Sequence, residues 1–250
     1  MTSRYRLITI PPSHYCEKAR WALELAGLPY NEERHPPLFH RRAVKKAGGV
    51  SSTPVLVADG QVMPDSTDIL VFIHHHPASA WRPYPADSRL LAEAEELEEL
   101  FDTRLGPHTR RLAYFYLLQY PDLFLRSVLA GVGSAESRLF RIFRPAIAWI
   151  MRKGMNITPD SAERSLNYVR EAFAGVDELL SDGREFLVGD SLSAADITFA
   201  TMAAPALLPR NYGSDLPTLD EVPEALLGLI EEFRMTAAGE FALRIYRDHR

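Results

Sequence analysis

A single cysteine, Cys16, stands in 250 residues, so no intrachain disulfide can form and the fold must rest on its core. No apolar run approaches the roughly twenty residues that a bilayer-spanning helix needs. No charged-then-apolar leader opens the chain, and internal repeats and low-complexity segments are missing as well. Neither sign of charge dominates. With 28 basic against 33 acidic residues the formal net charge is −5, which offers no global attraction for nucleic acid or anionic lipid. These absences predict a soluble, cytoplasmic protein with neither a nucleic-acid nor a membrane partner, in a reducing compartment that keeps the lone thiol free. At 46% hydrophobic, the chain can bury the core of one large domain or two small ones, and two are expected.

The most informative stretch is Ser13-His14-Tyr15-Cys16. Tyr5 to Ile10 reads as a short buried strand, stopped by Pro11-Pro12. After Cys16, the apolar residues Ala19, Ala22, Leu23 and Ala26 recur at helical spacing. Glu17, Lys18, Arg20 and Glu24 fall mostly elsewhere on the wheel, and Gly27 and Pro29 end the pattern. Ser13 therefore opens a helix and Cys16 lies in its first turn. The unpaired N–H groups and positive dipole end of a helix stabilise a thiolate there.

Further strand signals lie at Tyr30 to His35 and Val55 to Ala58, and Asp59-Gly60 is a hairpin turn into Val62-Met63. A helix from about Ser66 places Ile69, Phe72 and Ile73 on one face. The order is strand, helix, strand, helix, hairpin, helix, an α/β arrangement over residues 1–77. Residues 78–88, rich in proline and without apolar period, read as a linker. From 89 to 250 the pattern is helical. Leu90, Ala94, Leu97 and Phe101 form one stripe; Ala162, Leu166, Val169, Phe173 and Val176 form another behind Thr158-Pro159. The acidic stretch from Glu93 to Glu99 reads as a solvated face, as do Arg244, Arg247 and Arg250.

Three more features carry chemistry or folding. Thr53-Pro54 precedes the Val55 strand, where a proline cannot donate to a ladder and a cis bond is plausible. Asp65-Ser66 opens the next helix, whose free N–H groups suit a carboxylate. Ser193 to Asp196 is a capping box, with Leu192 and Ile197 spaced as a hydrophobic staple. Alone, each has a plainer reading: Ser13 and Asp65-Ser66 as helix caps, Cys16 as a small core residue, and Pro54 as a determinant of shape.

Taken in order, these motifs resemble the cytosolic glutathione transferases, bacterial-type, with a Ser-x-x-Cys motif at the first helix. The resemblance implies an α/β thioredoxin-like N-terminal domain that binds glutathione, followed by an all-α C-terminal helical bundle domain that contributes the electrophile pocket. It implies that Ser13 contacts the glutathione sulfur, that Pro54 is cis, and that the backbone of Val55, beside Thr53 and Pro54, pairs with the tripeptide like an added strand. Asp65 would face the γ-glutamyl ammonium and Ser66 its carboxylate, while the Ser193–Asp196 box is structural. It also implies a homodimer, glutathione as cosubstrate with no bound cofactor, and a small electrophile as second substrate.

Ser13-x-x-Cys16 also resembles the dithiol motif of glutaredoxins with its first cysteine replaced. If Ser13 acts, its hydroxyl polarises the glutathione thiolate, whereas if Cys16 acts it forms a mixed disulfide. Ser13 is placed ahead because it comes first at the helix end. The other readings are a thiol-disulfide oxidoreductase using Cys16 and a scaffold that keeps the fold without the chemistry. His74-His75-His76 cannot converge on one ion from one helix, because neighbours point about 100° apart, so no metal site is expected. Arg126, Arg138, Arg141, Arg144, Arg152 and Lys153 intermingle with Leu139, Phe140, Ile142, Phe143, Ile147, Trp149, Ile150 and Met151. Such a basic amphipathic helix can bind membranes, but it is read here as lining the electrophile pocket with its apolar side.

Overall fold

The computed structural model describes residues 5–250. Its elements run β1 (Tyr5–Thr9), α1 (His14–Leu25), β2 (Tyr30–Arg34), α2 (His40–Ala47), β3 (Val55–Ala58), β4 (Gln61–Met63) and α3 (Ser66–His75). Helices α4 (Ser88–Leu100), α5 (Gly106–Leu117), α6 (Pro121–Val128), α7 (Ser134–Gly154), α8 (Pro159–Leu180), α9 (Ala194–Leu207), α10 (Glu224–Arg234) and α11 (Ala237–His249) follow, with a π-helical turn at Phe101–Leu105. The chain resolves into two compact units. The first holds the residues up to Pro83 with Leu125–Ile147 and Gly213–Asp215; the second holds Tyr84–Phe124, Ala148–Tyr212 and Leu216–Arg250.

The first unit is built on a four-stranded sheet in the order β2-β1-β3-β4. β1 runs parallel to β2, from Tyr5 opposite Tyr30 to Thr9 opposite Arg34, and parallel neighbours need a crossover such as α1. β3 is antiparallel to β1, setting Leu7 opposite Leu56 and Ile8 opposite Val55, four side chains that are wholly buried. Asp59 and Gly60 both take positive φ, 49° and 79°, as the type I′ turn expected from Asp-Gly requires. α1 closes with Gly27 at φ 66°: Leu28 N–H bonds Leu23 C=O and Gly27 N–H bonds Glu24 C=O, both at 3.0 Å. α1 and α3 pack together through faces that bury Ala19, Ala22 and Leu23 on one and Ile69, Leu70 and Ile73 on the other.

Charges on α1 depart from the wheel. Glu17, Lys18 and Arg20 are buried, with Arg20 at 3.3 Å from Glu17 and 2.6 Å from Glu32. An interior charge is tolerable only when paired in this way.

In the second unit α9 is buried on every side except at Pro205, as a helix apolar all round must be. It packs against α4, α5, α10 and α11. The ring of Phe199 lies 5.1 Å from Phe101, 5.6 Å from Phe173 and 6.2 Å from Phe241. Thr158 caps α8 in a box with Ser161, and Ala162, Val169, Phe173 and Val176 are buried as their spacing predicts. Glu98 departs from a solvated face: it is buried and accepts from the Tyr84 hydroxyl at 2.6 Å. Arg244 is likewise not free in solvent, lying 5.1 Å over the Phe241 ring and donating to the Glu185 carbonyl.

Ser193 and Asp196 form the capping box at the start of α9. The Asp196 carboxylate accepts from Ser193 N–H, Ser193 Oγ–H and Leu187 N–H, each at 2.7 Å. Because Ser193 is buried, Ser193→Ala is expected to cost about 2 kcal/mol, the upper end of the range for caps. A melting series showing no loss would remove the capping role.

Within the first unit, the N-terminal part of α7 is held by Glu136, 2.9 Å from His35, and by Phe140, whose ring lies 6.0 Å from that of Phe39. Phe140, Ile147 and Met151 are buried, but Leu139, Ile142, Phe143, Trp149 and Ile150 are exposed. Among the described residues no helix is long and apolar enough to cross a membrane.

Candidate functional site

β1 ends at Thr9, the chain turns through Pro11 and Pro12, and Ser13 becomes the N-cap of α1 with extended φ and ψ of −71° and 122°. Its half-buried Oγ accepts from Cys16 N–H at 3.4 Å, leaving other first-turn donors and the positive helix end beside it. Cys16 is fully buried. Its Sγ accepts from Ile10 N–H at 3.4 Å and is hydrogen-bonded by the side chains of Ser13 and Thr53. Burial pushes the thiol above its ordinary range and outweighs the Arg20 guanidinium and these hydrogen bonds, which pull the other way. A buried, protonated thiol is a poor nucleophile.

Thr53 joins this cluster through a cis bond to Pro54. Pro54 is buried, and Val55 opens β3 opposite Ile8. The β3–β4 ladder ends at Leu56 opposite Met63, one residue short of Val55.

Asp65 is the exposed N-cap of α3 and accepts from Thr67 N–H at 3.0 Å. Ser66, the first residue of that helix, is buried, and its Oγ has no hydrogen-bond partner among the described residues. Asp68, one turn on, has its carboxyl raised by burial and by the neighbouring Asp65 charge. The start of α3 thus combines negative side chains, a helix dipole and an unsatisfied hydroxyl, a mixture suited to a group carrying both an ammonium and a carboxylate.

Sequence reasoning missed what holds the Ser13 loop. Arg20 donates to the Pro11 carbonyl at 3.1 Å and the Ile10 carbonyl at 3.4 Å while bonding Glu17 and Glu32. Glu17 accepts in turn from Gly213 N–H at 2.9 Å, and Arg34 bridges Glu32 at 2.8 Å to the Gly213 carbonyl at 3.0 Å. Burial works to raise the Glu32 carboxyl, yet Arg20, Thr9 and Arg34 hold it below the usual carboxylate range. The local clue was Glu17 and Arg20 at (i, i+3) on a largely apolar helix.

Ser193 and Asp196 lie in the second unit and have no part in this cluster. Among the described residues no group of three or more His, Cys, Asp or Glu could hold a metal ion, and His76 is engaged with the Tyr5 hydroxyl at 2.8 Å.

Residues 7–81 match the family model of the glutathione S-transferase N-terminal domain, and residues 159–232 match that of the glutathione S-transferase C-terminal domain. No curated protein matches the chain. Among solved structures, a possible glutathione S-transferase from Rhodopseudomonas palustris is similar at 16% identity and a TM-score of 0.60, over 99% of this chain and 95% of that one. Beta-etherase LigF from Sphingobium sp. strain SYK-6 gives 18%, 0.61, 96% and 99% in the same measures. A glutathione S-transferase from Methylobacterium radiotolerans, in complex with glutathione sulfonate, gives 19%, 0.56, 96% and 95%. At these identities the likeness speaks to the fold.

Proposed function

We propose that this chain, which belongs to the glutathione S-transferase family through two matched domains that together take up more than half of it, binds glutathione in its first unit and activates the thiol for attack on a small apolar electrophile. The observation that carries the reading is the buried, unpartnered Ser66 hydroxyl at the α3 start beside Asp65. Leaving such a group unsatisfied costs about 1–3 kcal/mol, and an incoming carboxylate would relieve that cost. Ser66 takes the γ-glutamyl carboxylate and Asp65 faces the ammonium. Val55, next to Thr53 and cis Pro54, offers its backbone to the tripeptide.

Ser13 acts on the sulfur. Its hydroxyl donates a hydrogen bond to the thiolate, and the positive end of α1 adds to this, so the bound thiol gives its proton to solvent at a lower pH. The sulfur lone pair then forms the new C–S bond, and the leaving group departs with its bonding pair. Cys16, buried and protonated, stays out of this step, which favours conjugation over thiol transfer.

Calorimetry tests the binding. Glutathione at about a hundred times its dissociation constant should stabilise the fold by roughly 2.7 kcal/mol. Ser66→Ala should weaken binding about ten- to hundredfold by removing a donor to a charged group. For Asp65 the informative variant is Asp65→Asn, which keeps a side-chain oxygen for the cap and removes only the charge. No heat at millimolar glutathione would sink the transferase reading and favour the scaffold.

A further inference from the structure

The face of α7 that points to solvent carries none of the residues assigned to glutathione, and it has a composition that calls for a partner. Ile142 is 64% exposed, Trp149 63% and Phe143 55%, with Leu139 and Ile150 alongside. At about 100° per residue these five, together with the exposed Ala146, share one sector about 120° wide, while the buried Phe140, Ile147 and Met151 occupy another. The exposed Arg138, Arg141 and Arg152 line one flank of the apolar sector, and the exposed Lys153 falls inside it. Glu136 is the one acid in the helix and is engaged by His35. Among the described residues, Arg138, Arg141 and Lys153 have no ion-pair partner.

We propose that this face of α7 docks on an anionic lipid surface, with α7 lying in the plane of the interface. An anionic bilayer meets both demands at once: headgroups accept the cationic flank, while the acyl boundary takes Leu139, Ile142, Phe143, Trp149 and Ile150. A second copy of the chain on the same face would set five cations and one acid of α7 against the same set, which charge repulsion opposes. The net charge of −5 does not prevent lipid docking, because at physiological salt charges interact over about 8 Å and the surface meets only the local patch. α7 lies on the surface without spanning it, since its cations and Glu136 interrupt any apolar span. From the sequence, membrane binding by this helix is weighed and set behind a pocket-lining role; the exposure of Leu139, Ile142, Phe143, Trp149 and Ile150 is what favours the membrane.

Flotation of the full chain with vesicles tests this. The protein should rise with vesicles of phosphatidylcholine and phosphatidylglycerol in a three-to-one ratio, stay behind with phosphatidylcholine alone, and be released by high salt. The double variant Phe143→Ser, Trp149→Ser should lower partitioning at least about tenfold. Arg138→Gln and Arg141→Gln should lower it about fivefold each. These positions face solvent, so melting should be unchanged, and the arginine variants give the answer by themselves if the apolar pair fails to fold. The proposal is overturned if the wild-type protein does not float, or if flotation survives both sets of substitutions. It is also overturned if Trp149, read as the difference between wild type and Trp149→Phe, is shielded from iodide without vesicles, for then a second copy or another protein covers the face.

Discussion

Replacing Ser13 by alanine is expected to lower kcat/KM for conjugation about a hundredfold. The apparent pKa of the bound thiol should rise by about two units toward the value near 8.5 of an ordinary cysteine thiol. The expectation follows from position: Ser13 stands at the positive end of α1 with its hydroxyl half-buried, whereas Cys16 is sealed one turn deeper. Alanine also removes the cap that accepts from Cys16 N–H, so some stability is lost along with the chemistry. Ser13→Gly separates the two effects, because glycine at an N-cap costs only a few tenths of a kcal/mol while the hydroxyl is still gone. Both variants should lose activity alike, and Cys16→Ala should conjugate at close to the wild-type rate. A Ser13→Ala enzyme with an unshifted pH–rate profile would show that the sulfur is activated elsewhere, and a collapse on Cys16→Ala would favour thiol transfer.

The largest expected effect on stability is at Asp196. Asp196→Ala would leave the Leu187 and Ser193 N–H groups, both now bonded at 2.7 Å, without acceptors in a buried setting, at a cost of about 3–5 kcal/mol. The same carboxyl has a pH signature. Burial pushes it up to about 6, with its three donors opposing, against an unfolded value near 3.9. Between those values the folded state holds more protons than the unfolded one, so stability from this group is fully present below about pH 4 and is lost as pH rises through 6. The difference is on the order of 3 kcal/mol. Asp196→Asn lacks the titration, so its stability relative to wild type should improve from pH 4 to pH 7 even though it starts lower. Parallel denaturation curves for the two proteins across that range would refute the assignment.

What could be read from the sequence was local. Ser13 as a cap, Gly27 as a helix terminator, Asp59-Gly60 as a hairpin turn and Ser193 with Asp196 as a box are all defined by neighbours within a few positions, and backbone chemistry leaves them few alternatives. Glu17, Arg20 and Glu98 were harder, because periodicity assigns charges to solvent. What makes their burial tolerable comes from distant positions: Glu32 for Arg20, Gly213 for Glu17 and Tyr84 for Glu98. The candidate site divides the same way. Its caps were legible, but the Arg20 clamp on the Pro11 carbonyl was not. α7 is a third case: its spacing marks an amphipathic helix whose apolar side the sequence assigns to the electrophile pocket, and only the fold shows that it has two apolar sectors, one of which faces outward.

The bond from Gly213 N–H to Glu17 has a consequence for the order of events at the ribosome. Gly213–Asp215 belongs to the first compact unit although most of the second unit is translated before it. As the chain emerges, the strands and α1 can assemble early, but the charged network beneath Ser13 lacks one of its donors until some two hundred residues have been translated. Nascent chains arrested before that point should hold the Ser13 loop more loosely than released ones do, so the proposed glutathione site would mature late although the residues assigned to it are made first.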